Sequence, residues 1–519
     1  MALETEIKLA LPPRAATRLL RHPLLAATTP RRQRLDNVYY DTPELALLKA
    51  LVAVRHRRQG RQHLLTVKSA APAVGGLARR NEWEAPCTPG EFDFGGIDVP
   101  ELRQRLEALR ESLLPAFRTD FTRLAWIVEP RPGARVEIAF DRGDIRAGDR
   151  REAICELELE LLDGEVADLF TLAQTLQETL PLHPATASKA ERGYRLFVGE
   201  RAAPTPVKAR AVALDGSMSS SDAFVAVALS CLAHLQGNEA GVGSSDDPEF
   251  IHQARVAIRR LRSALRVWRP LLPASFVDLD ARWRTLAVAL GDARNLDVFV
   301  GETLPPLLKA FPECKATARL RRHAESCREE SRKAARSALS ASEYSRLLLD
   351  TTAAALALAG GQARGSETQP GNVPERKGAP ESKAVRLKDF ARDCLGRNAR
   401  RVSRLAATAQ GGDAATRHRL RIALKRLRYA TEFFTPILPD KKVRRYVSAA
   451  AALQELLGEM NDLAVASELL ARSPSTAHSP LARGWLAGRN ELMQREIDTA
   501  ITAFVRKARP WKKAKKRSG

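Results

Sequence analysis

Apolar residues alternate with a period of two through roughly the first 200 positions and then recur at every third or fourth, so one chain carries two folding patterns. The segments "LVAVRHRRQGRQHLLTVKS", "RRNEWEAP" and "RVEIAFDRGDIRAGDRREAICELELELL" read as strands joined by Gly-containing turns, the pattern of an antiparallel barrel. "ELRQRLEALRESL" and "VADLFTLAQTLQETL" interrupt them as helices. After "RAAPTPVKARAV", whose prolines and small residues make a linker, Ala, Leu and Arg dominate at helical spacing. A chain of 519 residues exceeds what one core supports. The expected fold is therefore multidomain α+β, with an antiparallel barrel first and an all-α domain second.

The helical part repeats itself. "HQARVAIRRLRSALRVWRPLLP" from His252 matches "HRLRIALKRLRYATEFFTPILP" from His418, and "LAVALGDARNLDVF" from Leu286 echoes "LQELLGEMNDLAVA" from Leu453. Two related helical-bundle halves with approximate twofold symmetry follow. Between them, "GGQARGSETQPGNVPERKGAPESK" from Gly360 has the Gly, Pro, Ser and charge content of a disordered loop. The expected boundaries are 1–200 for the barrel, 201–217 for the linker, 218–505 for the helical domain with its loop at about 360–384, and 506–519 for a basic tail.

Charge separates the two parts as sharply as periodicity does. The chain has 84 Lys and Arg against 61 Asp and Glu, a net charge of +23. Residues 1–200 hold 29 of each sign, so the whole excess lies after residue 200 and makes the helical part the expected polyanion binder. The six cysteines are scattered without zinc-site spacing, which fits a reducing, cytoplasmic setting. Glu4, Glu6 and Lys8 precede any apolar run and argue against a secretory signal. "AFVAVALSCLAHL" from Ala223 is too short to span a bilayer and reads as a buried helix; no membrane partner is expected.

In a strand, positions i and i+2 share a face about 7 Å apart, so Glu4, Glu6 and Lys8 project together. "CELELEL" repeats the device with Glu156, Glu158 and Glu160 opposite Leu157, Leu159 and Leu161. Arg55 with Arg57, Lys68 after Thr66, Arg80 with Glu82 and Glu84, and Arg135 with Glu137 and Asp141 continue it. Each strand alone is explained by a solvated face. Together, with Leu157, Leu159 and Leu161 turned toward outer helices, they put both signs of charge inside the barrel. Crowded carboxylates there need cations. A hard divalent metal held by acids and a phosphate chain held by bases would satisfy the whole set.

Glu4-x-Glu6-x-Lys8, the later "ELELE" strand and "SKAERGY" around Lys189 resemble the CYTH family of triphosphate tunnel metalloenzymes over roughly residues 1–200. The resemblance implies an eight-stranded antiparallel β-tunnel with flanking helices that hydrolyses a terminal phosphoanhydride with Mg²⁺ or Mn²⁺. It assigns Glu4, Glu6, Glu158 and Glu160 to metal, and Glu4, Glu6 and Lys8 to catalysis. Lys8, Arg55, Arg57, Lys68, Arg123 and Lys189 go to the triphosphate. Glu156, Glu82, Glu84, Arg80, Arg118, Glu137 and Asp141 are second-rank positions.

At 100° per residue, His252, Arg255, Arg259, Arg262 and Arg266 fall within an arc of about 80°, and His418, Arg421, Lys425 and Arg428 occupy the same arc in the second copy. A solvated basic face explains one such stripe; two at identical spacing, each headed by histidine and with few acids to balance it, point to an anionic ligand. With aromatics only 5% of the chain, base stacking has little to work with, which disfavours nucleic acid as a specific partner. The "H-x-x-R-x-x-x-[RK]-x-x-R" helices resemble the CHAD domain, the conserved-histidine α-helical domain, over about residues 218–505. That family's role implies binding of long-chain inorganic polyphosphate by these nine residues, and association with polyphosphate granules.

The combined expectation is a cytoplasmic inorganic triphosphatase acting on tripolyphosphate, with a polyphosphate-binding helical domain. The alternatives are a granule-targeted binding protein with weak or no catalysis, or a hydrolase of nucleoside or thiamine triphosphate.

Overall fold

The structure is a computed structural model that describes residues 2–69, 73–199, 204–363, 386–438, 440–472 and 479–506. It forms two compact units, Met1–Thr205 with Ser340–Ala354, and Pro206–Leu339 with Ala355–Gly519. The expected basic tail lies outside the described residues from 507 onward. So does the expected loop, apart from 360–363, which end a helix. Residues 204–215, within the expected linker, carry no regular secondary structure.

The first unit is built on strands β1 (Ala2–Ala10), β2 (Arg31–Asp41), β3 (Val52–Gln59), β4 (Gln62–Ser69), β5 (Leu77–Pro86), β6 (Leu114–Val128), β7 (Arg135–Ala147), β8 (Arg150–Asp163) and the two-residue β9 (His183–Pro184). They run in the order β5-β4-β3-β2-β6-β7-β8-β1-β9, and β1 also pairs with β5. That second pairing closes eight antiparallel strands into a barrel and leaves none of the eight with a free edge. Leu157 and Leu159 of β8 are fully buried on its outer face. Helix α2 (Val166–Thr179), whose Leu169, Leu172 and Leu176 are buried, packs against β1 and β8. Helix α1 (Pro100–Leu109) contributes Leu106 to an outer core with Val54, Leu65, Val67 and Trp83.

The barrel interior is apolar at one end. Leu35, Tyr39, Phe117, Phe121 and Ile154 cluster there with Tyr194 of helix α3 (Lys189–Val198). Phe117 and Tyr194 meet edge to face at 5.0 Å. This helix starts where it does because Ser188 and Glu191 form a reciprocal capping box, in which Ser188 Oγ accepts from the Glu191 amide at 3.1 Å. The cap makes Lys189 the first helical residue.

The second unit is helical, with α4 (Ser220–Ser244), α5 (Pro248–Val267), α6 (Ser275–Val298) and α7 (Lys315–Ser340) in its first half. After α8 (Ser342–Ala363), whose residues up to Ala354 belong to the first unit, the second half has α9 (Leu387–Ala409), α10 (Ala414–Phe434), α11 (Asp440–Arg472) and α12 (Pro480–Val505). "AFVAVALSCLAHL" lies within α4 and is largely buried, as its composition indicates. The apolar sides of the repeated helices, Ala254, Ile258, Leu261 and Leu265 on α5 and Leu420, Leu424 and Leu427 on α10, are all buried. Trp268, at the end of α5, joins the halves by packing on Phe224, Phe390 and Phe434 at 5.1–6.0 Å.

Strands β6 and β7 approach so closely at Gly143 that a Cβ there would lie 2.1 Å from the Asp120 carbonyl oxygen and 2.5 Å from the Phe121 Cα. Backbone cannot yield as a side chain can. Gly143→Val should therefore destabilise the barrel by about 1–3 kcal/mol, read as a lowered unfolding midpoint in urea.

Candidate functional site

Pairing register brings the charged residues of distant strands together. Glu4 of β1 faces Arg80 of β5, Glu6 faces Glu160 of β8, and Lys8 faces Glu158. Lys68 faces Glu82, Arg123 faces Asp141, and Glu137 faces Glu160. The result is a cavity of about 840 Å³ inside the barrel, lined by Glu4, Glu6, Lys8, Arg55, Arg57, Lys68, Arg123, Glu158, Glu160 and Lys189. All the tunnel residues singled out for metal, catalysis or triphosphate are therefore gathered in one place. Of the second-rank positions, Arg80, Glu82, Glu84 and Glu137 also line it.

Arg118 does not. Its guanidinium is bonded to Asp36 and its side chain is 53% exposed. Five residues separate it from Arg123, and an odd separation turns two strand residues to opposite faces. Arg135 also leaves the set expected with Glu137 and Asp141. A bulge between Arg135 and Val136 shifts it, and it pairs with Asp163 at 3.6 Å.

Ionic partners divide the cavity. Lys68 Nζ donates to Glu4 at 2.8 Å and lies 3.2 Å from Glu82; Arg80 contacts Glu4 at 3.5 Å and also bonds Glu6. Lys8 Nζ sits 3.2 Å from Glu158. Deeper, Lys189 Nζ reaches Glu156 at 2.6 Å, Asp141 at 2.7 Å and Glu158 at 2.9 Å. Arg123 forks onto Asp141 and also bonds Glu158. Burial alone would lower the Lys189 ammonium, but Asp141, Glu156 and Glu158 outweigh it and hold its pKa above the ordinary value. Burial would likewise raise Glu158, yet Lys189, Lys8 and Arg123 keep it well below the usual range.

Two candidate metal-binding regions differ in their supply of cations. Asp141, Glu156 and Glu158 bring oxygens within 4.8 Å of one another, but the Lys189 ammonium already touches all three. Glu160 is the contrasting case: among the described residues it has no ion-pair partner. Burial first, then Glu4 and Glu137, push its carboxyl up to about 7 against the opposing pull of Lys68. Glu4, Glu6, Glu158 and Glu160 nonetheless make this wall of the cavity rich in carboxylate oxygens, the donor type a hard divalent cation takes. On the basic side, Arg57 is pulled down to about 10 by burial and then by Arg55, although Glu84 lies 3.5 Å away. Tyr39, whose hydroxyl accepts from Arg55 at 3.2 Å, is a lining residue that no charge pattern in the sequence marked.

In the helical unit the two stripes converge only in part. Arg255 and Arg259 on α5 meet Arg421 and Lys425 on α10, and His252 lies beside Arg255 and Arg259 on its own helix. Lys425 is pulled down to about 6 by burial and then by Arg421, Arg259 and Arg255, with Asp462 opposing. Arg259 bonds the Tyr429 hydroxyl, and Arg428 lies over the same ring at 5.3 Å. Arg262 and Arg266 turn instead to Asp280 of α6, at 2.7 and 3.7 Å. The two histidines differ: His252 is half-buried with its pKa lowered by burial and then Arg294, whereas His418 is exposed. Arg294 of α6, close enough to influence His252 and Arg255, was not apparent from the stripes.

Comparison with known proteins follows the same division. The CYTH domain family model matches residues 2–194, and the CHAD domain model matches residues 226–471. An inorganic triphosphatase of Haemophilus influenzae is 36% identical over 203 residues, covering 38% of this chain; the chain spans 55% of that relative's length. The crystal structure of the CHAD domain from the plant Ricinus communis is 34% identical, with a TM-score of 0.50, and covers 59% of this chain and 98% of its own. A putative adenylyl cyclase from Hippeastrum, described as having a dominant triphosphatase activity, is 20% identical over 37% of this chain and 95% of its own, with a TM-score of 0.27.

Lys425 has a measurable consequence for stability. Between about 6 and the ordinary 10.5, the unfolded chain binds a proton at this lysine that the folded chain does not, so folding stability falls as pH drops through that window. Lys425→Met removes the effect. The melting temperature of the variant should decline less than that of the parent from pH 9 to pH 6; equal declines would show that Lys425 stays charged in the fold.

Proposed function

Since the chain belongs to the CYTH and CHAD families, the first domain followed by the second, we propose that its β-tunnel is a divalent-metal-dependent inorganic triphosphatase and its helical unit binds polyphosphate. One observation carries the reading. The barrel holds acids and bases interleaved on facing strands around one cavity, a combination that neither a metal alone nor a phosphate chain alone would require. Tripolyphosphate is the proposed substrate, in keeping with the triphosphatase relative, and Mg²⁺ or Mn²⁺ the proposed metal.

In this reading Lys8, Arg55, Arg57, Lys68, Arg123 and Lys189 bind the phosphate oxygens and fix the chain along the tunnel. Glu4, Glu6, Glu158 and Glu160 would hold the metal, which supplies neutralising charge and Lewis-acid polarisation of the phosphoryl group. A carboxylate of the acidic wall orients the attacking water in line with the bond to be broken. Water adds to the terminal phosphorus, the bridging P–O bond breaks, and orthophosphate and pyrophosphate leave. No protein nucleophile is needed. The Lys189 cluster positions rather than reacts: Asp141 and Glu156 keep the ammonium protonated and aimed into the cavity.

Glu6→Gln should lower metal-dependent phosphate release from tripolyphosphate by about 100-fold or more while leaving the melting curve near that of the parent. Undiminished turnover would remove the assignment. A panel of tripolyphosphate, thiamine triphosphate, ATP and long-chain polyphosphate, each with Mg²⁺ and Mn²⁺, tests the substrate; tripolyphosphate with either metal should turn over fastest.

Polyphosphate binding is proposed for the convergent group of His252, Arg255, Arg259, Arg421 and Lys425, with Arg262, Arg266, His418 and Arg428 beyond it. An Arg255→Ala/Arg259→Ala double variant should weaken long-chain polyphosphate binding and reduce the slope of log affinity against log salt by about 1–2, as fewer phosphates are neutralised. An unchanged slope would place the chain elsewhere.

A further inference from the structure

The helices α4 and α5 correspond to α9 and α10 at a separation of 166 residues, that of His252 and His418 and of Phe224 and Phe390. At one pair of corresponding positions the halves differ in sign. Arg260 of α5 in the first half, only 2% exposed, lies 3.5 Å from Glu432 of α10 in the second. The counterpart of Arg260 is Arg426, and the residue that Glu432 matches is Arg266. An ion pair on one side of the pseudo-twofold is thus an arginine pair on the other.

The neighbouring helix changes with it. Beside the Arg260–Glu432 pair, α4 presents Cys231 and His234. Their counterparts on α9 are Arg397 and Arg400, and Leu235 and Asn238 become Arg401 and Arg404. These four, with Arg266 and Arg426, line a single pocket of about 690 Å³ between α5, α9 and α10. Asp280 is the carboxylate that influences both Arg266 and Arg426, and it is already shared with Arg262 at 2.7 Å. Among the described residues, Arg397, Arg400, Arg401, Arg404 and Arg426 form no ion pair, and Arg426 Nε is buried without a hydrogen-bond partner. Burial and then cationic neighbours, Arg401 for Arg426 and Arg262 for Arg266, hold both guanidiniums below their ordinary values.

Exposed arginines on a lone helix are commonly solvated, and four of these six are on α9. The pocket departs from that case because the other two come from different helices and occupy positions where the sister half is neutralised internally. Like charges gathered in a concavity repel one another, so an anion entering it is favoured. Guanidinium forks match tetrahedral oxyanions, and several in one pocket match a linked set of them. We propose that the α5–α9–α10 pocket is a second anion site, separate from the His252–Arg255–Arg259–Arg421–Lys425 group, that takes a short inorganic phosphate chain. The proposal rests on the reading that the helical unit binds phosphate chains, and it adds a site that shares only Arg266, at the end of the first stripe, with the repeated stripes.

The test is arginine-specific labelling of the full-length protein by phenylglyoxal, read peptide by peptide, with tripolyphosphate as the probe and EDTA present to prevent turnover. Tripolyphosphate should slow labelling of the α9 arginines. In an Arg401→Gln/Arg426→Gln variant the concentration protecting Arg397 and Arg400 should rise by roughly tenfold or more, while protection of Arg255 and Arg421 is retained. Arg266→Glu supplies a second variant, because it recreates on this side the arginine–glutamate pair of the first half; it should remove α9 protection and raise the melting temperature. Protection of Arg255 and Arg421 without protection on α9 would overturn the second site and leave polyphosphate binding standing. Absence of protection at both places would overturn both. Equal protection of α9 by sodium sulfate at matched ionic strength would reduce the site to charge screening and overturn its assignment to a phosphate chain.

Discussion

Carboxylates confined together away from bulk water remain ionised only where cations stand beside them, and the cations are equally costly to bury without the acids. Closure of the β-barrel imposes this mutual dependence on the first unit. Once β1 pairs with both β8 and β5, Glu4, Glu6 and Lys8 have no route to solvent except through the lumen, so the opposing strands must answer their charges. Lys68 and Arg80 answer Glu4, and Glu158 answers Lys8. The balance is uneven along the cavity. Around Lys189 it is tight, which fixes that ammonium and Arg123 in place; around Glu160 it is loose, leaving acid in excess. Rigid bases beside an under-compensated acidic region are the arrangement in which binding energy can be directed at charge rather than at shape.

Much of this was legible from period two alone. A strand's face is set by parity, so Glu4, Glu6 and Lys8, or Glu156, Glu158 and Glu160, could be placed on one side without knowing their partners. Which acid met which base was not legible, since Lys8 opposite Glu158 depends on a pairing between segments some 150 residues apart. Parity also contained the warning about Arg118, whose odd distance from Arg123 sends it outward. Lys189 reaches the same cavity from a helix rather than a strand, and Tyr39 carries no charge to advertise its position.

In the helical unit, the wheel of 100° per residue located the apolar sides of α5 and α10 and the cationic stripes opposite them. It could not show that Asp280 draws Arg262 and Arg266 away from the other stripe residues, because that carboxylate arrives from α6. Nor could it show what the arginines of α9 face. Internal repetition made the twofold plan visible but not the departures from it: an exposed His418 against a half-buried His252, and an arginine pair against an ion pair. Two copies of one motif offer two places for charge to accumulate, and only one of them is neutralised from within.

The pairing of β1 with β8, some 150 residues further along the chain, bears on how the protein is made. Of the eight barrel strands β1 is made before the others but has no neighbour until β5 emerges, and it lacks its second until β8 does. Until β8 is complete the strands between can form at best an open sheet, because the seam is sealed only when the first of the eight meets the last. Until then the acids of β1 are spread through solvent, so a partly made chain has neither the repulsion nor the cavity that define the finished barrel.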